Sequence, residues 1–323
     1  MTKKVLITGA AGFLGSHLTE LLVRKKFSVI AFDRYNSFNH WGHLENSKYK
    51  NKFKMILGDI RDFDSVNLAV KGADIVIHLA ALIGIPYSYI SPLAYIRTNV
   101  EGTYNVLESS KNNKIKNLLI ASTSEVYGVQ QYIPIDENHP VIANSPYSAS
   151  KISADQLAMS YFKSFSQKIN IIRPFNIYGP RQSARAIIPT IISQLINKKK
   201  LNLGNLYPTR DFTYVEDTCR AILEIMKNDN ISGEIFNIGS GKEISIFDLV
   251  NTISNVMKVS PIIKKENQRV RKKTSEVMRL NCNYDKIFSM TGWKPKISLN
   301  HGIKETINWL KKNNYYKHDI YNL

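Results

Sequence analysis

Two side chains four residues apart, Tyr147 and Lys151 in Ser145-Pro146-Tyr147-Ser148-Ala149-Ser150-Lys151, carry the sharpest chemical signal in the sequence. On a helix that spacing places both on one face. A free tyrosine titrates at about 10 and is a poor base at neutral pH. Lowering its pKa to about 7 takes roughly 4 kcal/mol in favour of the phenolate. An ammonium about 4 Å away, at an effective dielectric of about 20, offers that much. The pair therefore suits removal of a proton from a hydroxyl.

A second cluster lies in Ser122-Thr123-Ser124-Glu125-Val126-Tyr127-Gly128, directly after an apolar run of strand type. A hydroxyl at the carboxyl end of a strand sits where ligands bind in parallel sheets, so Thr123 is expected to hydrogen-bond the reacting hydroxyl beside Tyr147. Oxidising a hydroxyl does not need a carboxylate, but removing a proton next to a new ketone does, which singles out Glu125.

Near the start, the strand-like Lys4 to Thr8 runs into Gly9-Ala10-Ala11-Gly12-Phe13-Leu14-Gly15. Gly9 allows a tight turn, Gly12 lets backbone approach a pyrophosphate, and Gly15 lets the following helix pack on the strand. The helix start then offers free amides and a positive dipole end to an anion. Asp33, at the end of the second strand, suits adenosine ribose hydroxyls and would repel a 2′-phosphate, which favours NAD; Arg34 beside it keeps NADP open. Asp59, in Gly58-Asp59-Ile60, ends the third strand where an adenine ring would lie. Leu79-Ala80-Ala81 ends the fourth and is small enough to let a dinucleotide pass. With Phe13, Leu14, Ile60 and Asn99, and with Tyr147 and Lys151 at the nicotinamide, these residues form the expected cofactor set. The nicotinamide's positive charge would add to that of Lys151 at the phenol.

The elements that must position these groups alternate. Strands are expected at Lys4 to Thr8, Ser28 to Phe32, Lys54 to Leu57, Ile75 to Leu79, Asn117 to Ala121 and Ile169 to Arg173. Helices are expected at Leu14 to Lys25, Ser65 to Val70 and Val100 to Asn112. Runs that are apolar throughout suit a parallel sheet covered on both faces, and βαβα order over this length predicts a doubly wound α/β Rossmann sheet. After Arg173 the regularity weakens. Helices at Ile187 to Asn197, Val215 to Met226 and Gly302 to Lys311, and a returning strand at Glu234 to Ile238, predict a smaller interleaved substrate domain. The expected division is 1–175 plus 211–240 for the dinucleotide-binding domain and 176–210 plus 241–315 for the substrate domain.

The chain has 323 residues, 43% hydrophobic and 22% charged, with a net charge of +18. Such a charge could serve nucleic acid, a membrane surface or a phosphorylated substrate. The densest basic run, Lys198 to Lys200, lacks the interleaved aromatics of a nucleic-acid platform. No nucleic-acid partner is expected. The two cysteines, Cys219 and Cys282, lack metal-ligand spacing, so neither a zinc site nor a disulfide framework is expected. Residues 2–8 already read as a strand, so no signal peptide is expected before them. No apolar run reaches the roughly 18 residues of a membrane span. A reducing cytoplasm fits these features.

Taken together, the glycine loop, Asp33, Thr123-Ser124-Glu125-Val126-Tyr127-Gly128 and Tyr147-Ser148-Ala149-Ser150-Lys151 resemble the extended short-chain dehydrogenase/reductase family of NDP-sugar epimerases and dehydratases. Arg173 to Arg181, Arg210 to Asp217, Phe236 to Gly239 and Gly292 to Pro295 extend the resemblance over nearly the whole chain. Tyr35 to Phe38, Ile85-Pro86-Tyr87-Ser88-Tyr89 and Arg181 to Arg185 are similar to the 4,6-dehydratases of the legionaminic acid pathway, which act on GDP-N-acetylglucosamine.

That resemblance implies a redox-neutral elimination. Tyr147, with Lys151 and Thr123, would deprotonate the sugar 4-hydroxyl while hydride leaves carbon 4 for NAD. Glu125 would take the carbon 5 proton, the 6-hydroxyl would leave as water, and the hydride would return to carbon 6. Many hexose dehydratases of the family carry Asp-Glu where this chain has Ser124-Glu125, so Glu125 would serve as both base and acid. The substrate set implied is Tyr87, Ser124, Asn176, Arg185, Arg210 and Arg271, with the arginines suited to a diphosphate by their fork of donors. A UDP-sugar 4-epimerase or a UDP-glucuronate decarboxylase is the alternative, and a nucleotide-binding protein without catalysis would have no use for the Tyr–Lys pair. The resemblance also implies a homodimer through the helices of residues 100–112 and 148–165.

Overall fold

The computed structural model describes residues 2–197, 200–266 and 276–315. Its first part alternates β1 (Lys4–Thr8), α1 (Phe13–Arg24), β2 (Ser28–Arg34), β3 (Lys54–Gly58), α2 (Phe63–Val70) and β4 (Ile75–His78). Two short helices follow, α3 (Ile85–Ile90) and α4 (Pro92–Tyr95), and a π-helical stretch, Ile96–Glu101, runs into α5 (Gly102–Asn112). Then come β5 (Asn117–Ala121), α6 (Pro146–Phe165) and β6 (Ile169–Pro174). The rest of the chain gives β7 (Asn176–Tyr178), α7 (Ile187–Asn197), β8 (Lys200–Leu203), β9 (Thr209–Tyr214), α8 (Val215–Lys227), β10 (Ile235–Ile238), β11 (Glu243–Ser245), α9 (Ile246–Met257), β12 (Ile262–Lys265), α10 (Asp285–Thr291) and α11 (Leu299–Lys312).

Seven strands form one sheet in the order β10-β6-β5-β4-β1-β2-β3, and every pair is parallel. This is the doubly wound Rossmann arrangement expected from the apolar runs. Alternate residues of a strand serve opposite faces. Val5 and Ile7 pack with Leu18 and Leu22 of α1 and Ile222 of α8. Leu6, between them, packs with Val66 of α2, Val106 of α5 and Ala158 of α6. Burial on both faces is why these strands are apolar throughout. The strand order reverses between β1 and β4, and ligands of such sheets bind at the carboxyl ends beside that reversal.

The second part adds a three-stranded sheet, β11-β9-β7, and a parallel pair, β12-β8. β10 returns to the large sheet, as expected for Glu234 to Ile238. No helix among the described residues is long and apolar enough to cross a membrane.

Candidate active site

β1 delivers its last residue, Thr8, to a loop whose shape depends on two glycines. Gly9 has a φ of +69°, and a Cβ there would lie 2.9 Å from the backbone of Ala80. A Cβ on Gly15 would lie 2.0 Å from the Gly9 carbonyl oxygen. The loop therefore closes tightly over the start of α1. Asp33 is tied to it: its Oδ2 accepts from the Ala11 amide at 2.6 Å and its Oδ1 from its neighbour Arg34 at 2.7 Å. Burial pushes the Asp33 carboxyl up, and these two amides partly offset the effect. Asp59 is held by Arg61, whose Nε donates to it at 2.9 Å, and this keeps its carboxyl below the usual range.

The other half of the site comes from β5 and α6. Ser145 caps α6, its Oγ accepting from the Ser148 amide at 3.1 Å, with Pro146 at the first helical position. This start places Tyr147 in the first turn and Lys151 one turn on. Both are buried, at 6% and 3% exposure. Thr123 ends the β5 extension and caps the short 3₁₀ turn carrying Glu125.

The charge balance differs from the expected one. Burial drives the Tyr147 phenol well above its ordinary range. A hydrogen bond with the Thr123 hydroxyl partly offsets this, while the Glu125 carboxylate and the Tyr95 phenol push the same way as burial. The Lys151 ammonium donates to the Ala121 carbonyl at 2.6 Å. Burial lowers its pKa and the Asp155 carboxylate counters that. Burial and the nearby acidic groups thus favour the protonated phenol, where the sequence spacing alone pointed to a depressed pKa. Asp155 in turn accepts from Arg173 at 3.0 and 3.1 Å, and both are almost fully buried.

One cavity of about 1350 Å³ joins these parts. Single small-molecule sites usually measure roughly 300–1,000 Å³, so there is room for two ligands. Its wall includes Gly9, Gly12, Phe13, Leu14, Gly15, Asp33, Asp59, Ile60, Leu79, Ala80 and Ala81. Thr123, Glu125, Tyr147 and Lys151 line the same cavity, as do Tyr87, Asn176, Arg185 and Arg210. A recess of about 410 Å³ adjoins it at Asp33, bounded by Ala11, Phe38 and His40.

This arrangement fits a dinucleotide: a glycine turn into which no Cβ fits, a helix start behind it, and a carboxylate at the end of β2. The family model of the GDP-mannose 4,6 dehydratases matches residues 6–306. The chain belongs to that family.

Among its relatives is the putative UDP-glucose 4-epimerase of Methanocaldococcus jannaschii, 35% identical over 96% of this chain and 99% of that one. Another is the human dTDP-D-glucose 4,6-dehydratase, 32% identical over 96% of this chain and 91% of that one. A solved structure of DesIV, the dTDP-glucose 4,6-dehydratase of Streptomyces venezuelae, with NAD and TYD bound, superposes with a TM-score of 0.88. It is 27% identical and covers 97% of this chain and 98% of that one.

Two expected site residues of this GDP-mannose 4,6-dehydratase family member lie off the cavity wall. Asn99 is buried behind the cavity wall, its carboxamide occupied by the Leu82 backbone and the Ser150 hydroxyl. Ser124 is buried in the 3₁₀ turn and does not line the cavity. Arg271 falls outside the described residues. Arg210 reaches the cavity wall while donating to the Val277 carbonyl at 2.8 Å and to Glu276 at 3.2 Å.

Sequence reasoning missed Tyr95, whose ring meets Tyr147 edge-on with centroids 6.1 Å apart. It also missed the Asp155–Arg173 pair. A charged residue closing the apolar run Ile169 to Pro174 was the available signal for the pair. Among the described residues no group of three or more His, Cys, Asp or Glu could hold a metal ion, and both cysteines are free and buried.

Proposed function

We propose that this chain is an NAD-dependent NDP-hexose 4,6-dehydratase, with GDP-N-acetylglucosamine as its substrate and a 4-keto-6-deoxy sugar as its product. The observation that carries the reading is Glu125. It lines the same cavity as Thr123 and Tyr147, close enough for its charge to act on the phenol. A carboxylate there has no task in oxidising a hydroxyl and a direct one in removing a proton beside a ketone.

Gly9, Gly12, Phe13, Leu14 and Gly15 would hold the cofactor's pyrophosphate, Asp33 its adenosine ribose, and Asp59 and Ile60 the adenine end. NAD, when bound, takes up the sugar's hydride and gives it back, so the overall reaction has no net redox change. Tyr147 accepts the proton of the 4-hydroxyl, which Thr123 orients by hydrogen bonding. Lys151 stabilises the phenolate by its charge and fixes the end of β5. Glu125 takes the carbon 5 proton and then, as the acid, protonates the departing 6-hydroxyl, since Ser124 offers no carboxyl for that step; as hydride returns to carbon 6, carbon 5 takes up a proton from solvent. Asn176, Arg185, Arg210 and Arg271 serve the nucleotide diphosphate, and Tyr87 the sugar.

Incubation with GDP-N-acetylglucosamine in deuterated water tests this. The expected product is the 4-keto-6-deoxy sugar with deuterium on carbon 5; a 4-epimer without solvent label would refute it. A UDP-sugar 4-epimerase is the second reading, favoured by the name of the Methanocaldococcus relative. A product survey across GDP-linked and UDP-linked hexoses separates the two.

The protein would work in the cytoplasm as a homodimer through α5 and α6, on which Tyr104 and Phe165 are 44% and 51% exposed.

A further inference from the structure

β4 is apolar at Ile75, Val76 and Ile77 and ends on a histidine, His78. It is 1% exposed, and no step of the proposed reaction uses it. Its surroundings fix which ring nitrogen carries the proton. Thr103 Oγ1 gives its single hydrogen to the Asn99 carbonyl at 2.6 Å. At 3.2 Å from His78 Nε2 that hydroxyl can therefore only accept. Nε2 carries the hydrogen, and Nδ1 is the acceptor. Thr8 Oγ1, 2.8 Å from Nδ1, accepts from the Leu79 and Ala80 amides, both at 3.2 Å, and donates its own hydrogen to the ring.

The line of bonds continues beyond Thr103. Asn99 Oδ1 accepts from the Leu82 amide at 2.8 Å. Its Nδ2 donates to the Leu82 carbonyl and to Ser150 Oγ, both at 2.9 Å. Ser150 Oγ donates to the Tyr147 carbonyl at 2.7 Å. Thr8, His78, Thr103, Asn99 and Ser150 are all at least nine-tenths buried. One end of the line is the residue before Gly9, and the other is the backbone of Tyr147. Between them it holds the Leu79 to Leu82 segment, which lines the cavity.

We propose that His78 is a positioning residue: as the neutral Nε2–H tautomer it ties the glycine loop and the Leu79 to Leu82 wall to the helix that carries Tyr147 and Lys151. A second ring proton would have to point at Thr8 Oγ1, which already accepts two amides. Burial and the charge of Lys151, the charged group facing it, hold the imidazole down to about 3. The ring therefore stays neutral where the enzyme works. A fully satisfied buried network has few alternative arrangements, so it fixes the distance between its ends. An apolar ring at 78 would leave the Thr8 hydroxyl hydrogen without its acceptor and Thr103 without the Nε2 donor, and so release that distance.

This inference rests on Tyr147 being the catalytic tyrosine, but its test does not depend on which sugar is turned over. NAD affinity is measured by calorimetry on NAD-stripped protein for wild type, His78→Phe and Thr103→Val, the last keeping shape while removing the acceptor of His78 Nε2 and the donor to the Asn99 carbonyl. Hydrogen exchange is followed at the amides of 9–15 and 147–151, and melting temperature is recorded alongside. Both variants are expected to bind NAD about tenfold or more weakly, the scale of loss that follows a small misplacement. Exchange should rise at both ends of the line, including the Tyr147 end. With GDP-N-acetylglucosamine, kcat should fall while KM holds. A lower melting temperature with unchanged NAD affinity and no local rise in exchange would make His78 a packing residue and overturn the proposal. Should His78→Phe fail to fold, Thr103→Val decides on the same readouts. A protein that does not use this sugar would leave the NAD and exchange outcomes unaffected.

Discussion

The Lys151 ammonium reaches across from α6 and donates to the carbonyl of Ala121, the last residue of β5, at 2.6 Å. One side chain thereby locks the helix bearing Tyr147 to the strand leading to Thr123 and Glu125. Its charge lies inside the protein, where interactions with a phenolate are stronger than in water.

Turnover should therefore depend on pH through Tyr147. Burial favours the protonated phenol, and the working base is the phenolate, so kcat should rise with pH along one ionisation. Tyr147→Phe should lower kcat by about 10²–10⁴, the usual worth of a positioned base, and flatten that limb. Lys151→Met removes the stabilising cation, so its limb should move to higher pH. The check is the pH profile of kcat for all three proteins. A limb that stays in place in Lys151→Met would show that the ammonium acts only as an anchor to Ala121.

Gly15→Ala should abolish cofactor binding without unfolding the sheet. The added methyl would sit 2.0 Å from the Gly9 carbonyl oxygen, and the clash is with backbone. The loop must open or α1 must move, and either change spoils the pyrophosphate seat. Calorimetric titration with NAD reads the loss directly, and circular dichroism should be close to wild type. Retained NAD affinity would mean that the dinucleotide does not rest on this turn.

Asp155→Asn should destabilise the protein strongly. It leaves the Arg173 guanidinium, 2% exposed, with a neutral partner in place of a carboxylate. Breaking one member of a buried ion pair typically costs about 3–5 kcal/mol. Arg173 retains Tyr127, whose hydroxyl accepts at 3.2 Å and whose ring lies 5.0 Å away, so the lower end of that range is expected. Urea unfolding at neutral pH measures it. Replacing both residues with apolar ones of similar volume should recover much of the loss, because neither charge is then buried alone.

The seven strands of the large sheet were legible because burial on both faces makes most of them near-continuous apolar runs, broken only by single residues such as Asn170 in β6 and Asn237 in β10. The smaller sheets were not. β7 and β11 have three residues each, and β9 carries Thr209, Arg210 and Asp211 among its apolar residues, so neither length nor period marks them. Pro86 and Pro92 sit at the first turns of α3 and α4, where proline is tolerated but reads as a break. In the site, the Tyr147–Lys151 spacing was visible because it depends only on helical period. The inward turn of Asn99 was not, since it lies in the π-helical stretch Ile96–Glu101, and such insertions follow no simple spacing rule. The raised phenol pKa was missed because spacing reports the nearby charge but not the loss of water around both groups.

Glu125→Gln separates the two halves of the proposed chemistry. The amide keeps the shape of the side chain and removes its ability to take a proton. Thr123, Tyr147 and Lys151 are untouched, so the first proton transfer should survive. The variant should still reduce its bound NAD on mixing with GDP-N-acetylglucosamine, seen as nicotinamide absorbance, and then stall. Formation of the 4-keto-6-deoxy product should fall by about 10²–10⁴, and uptake of solvent deuterium at carbon 5 should fall with it. The lost negative charge beside Tyr147 should also lower the phenol's pKa, because that carboxylate now raises it. The acid limb of the NAD-reduction half-reaction should therefore move to lower pH than in wild type. Normal formation of the 4-keto-6-deoxy product by this variant would remove Glu125 from both its roles.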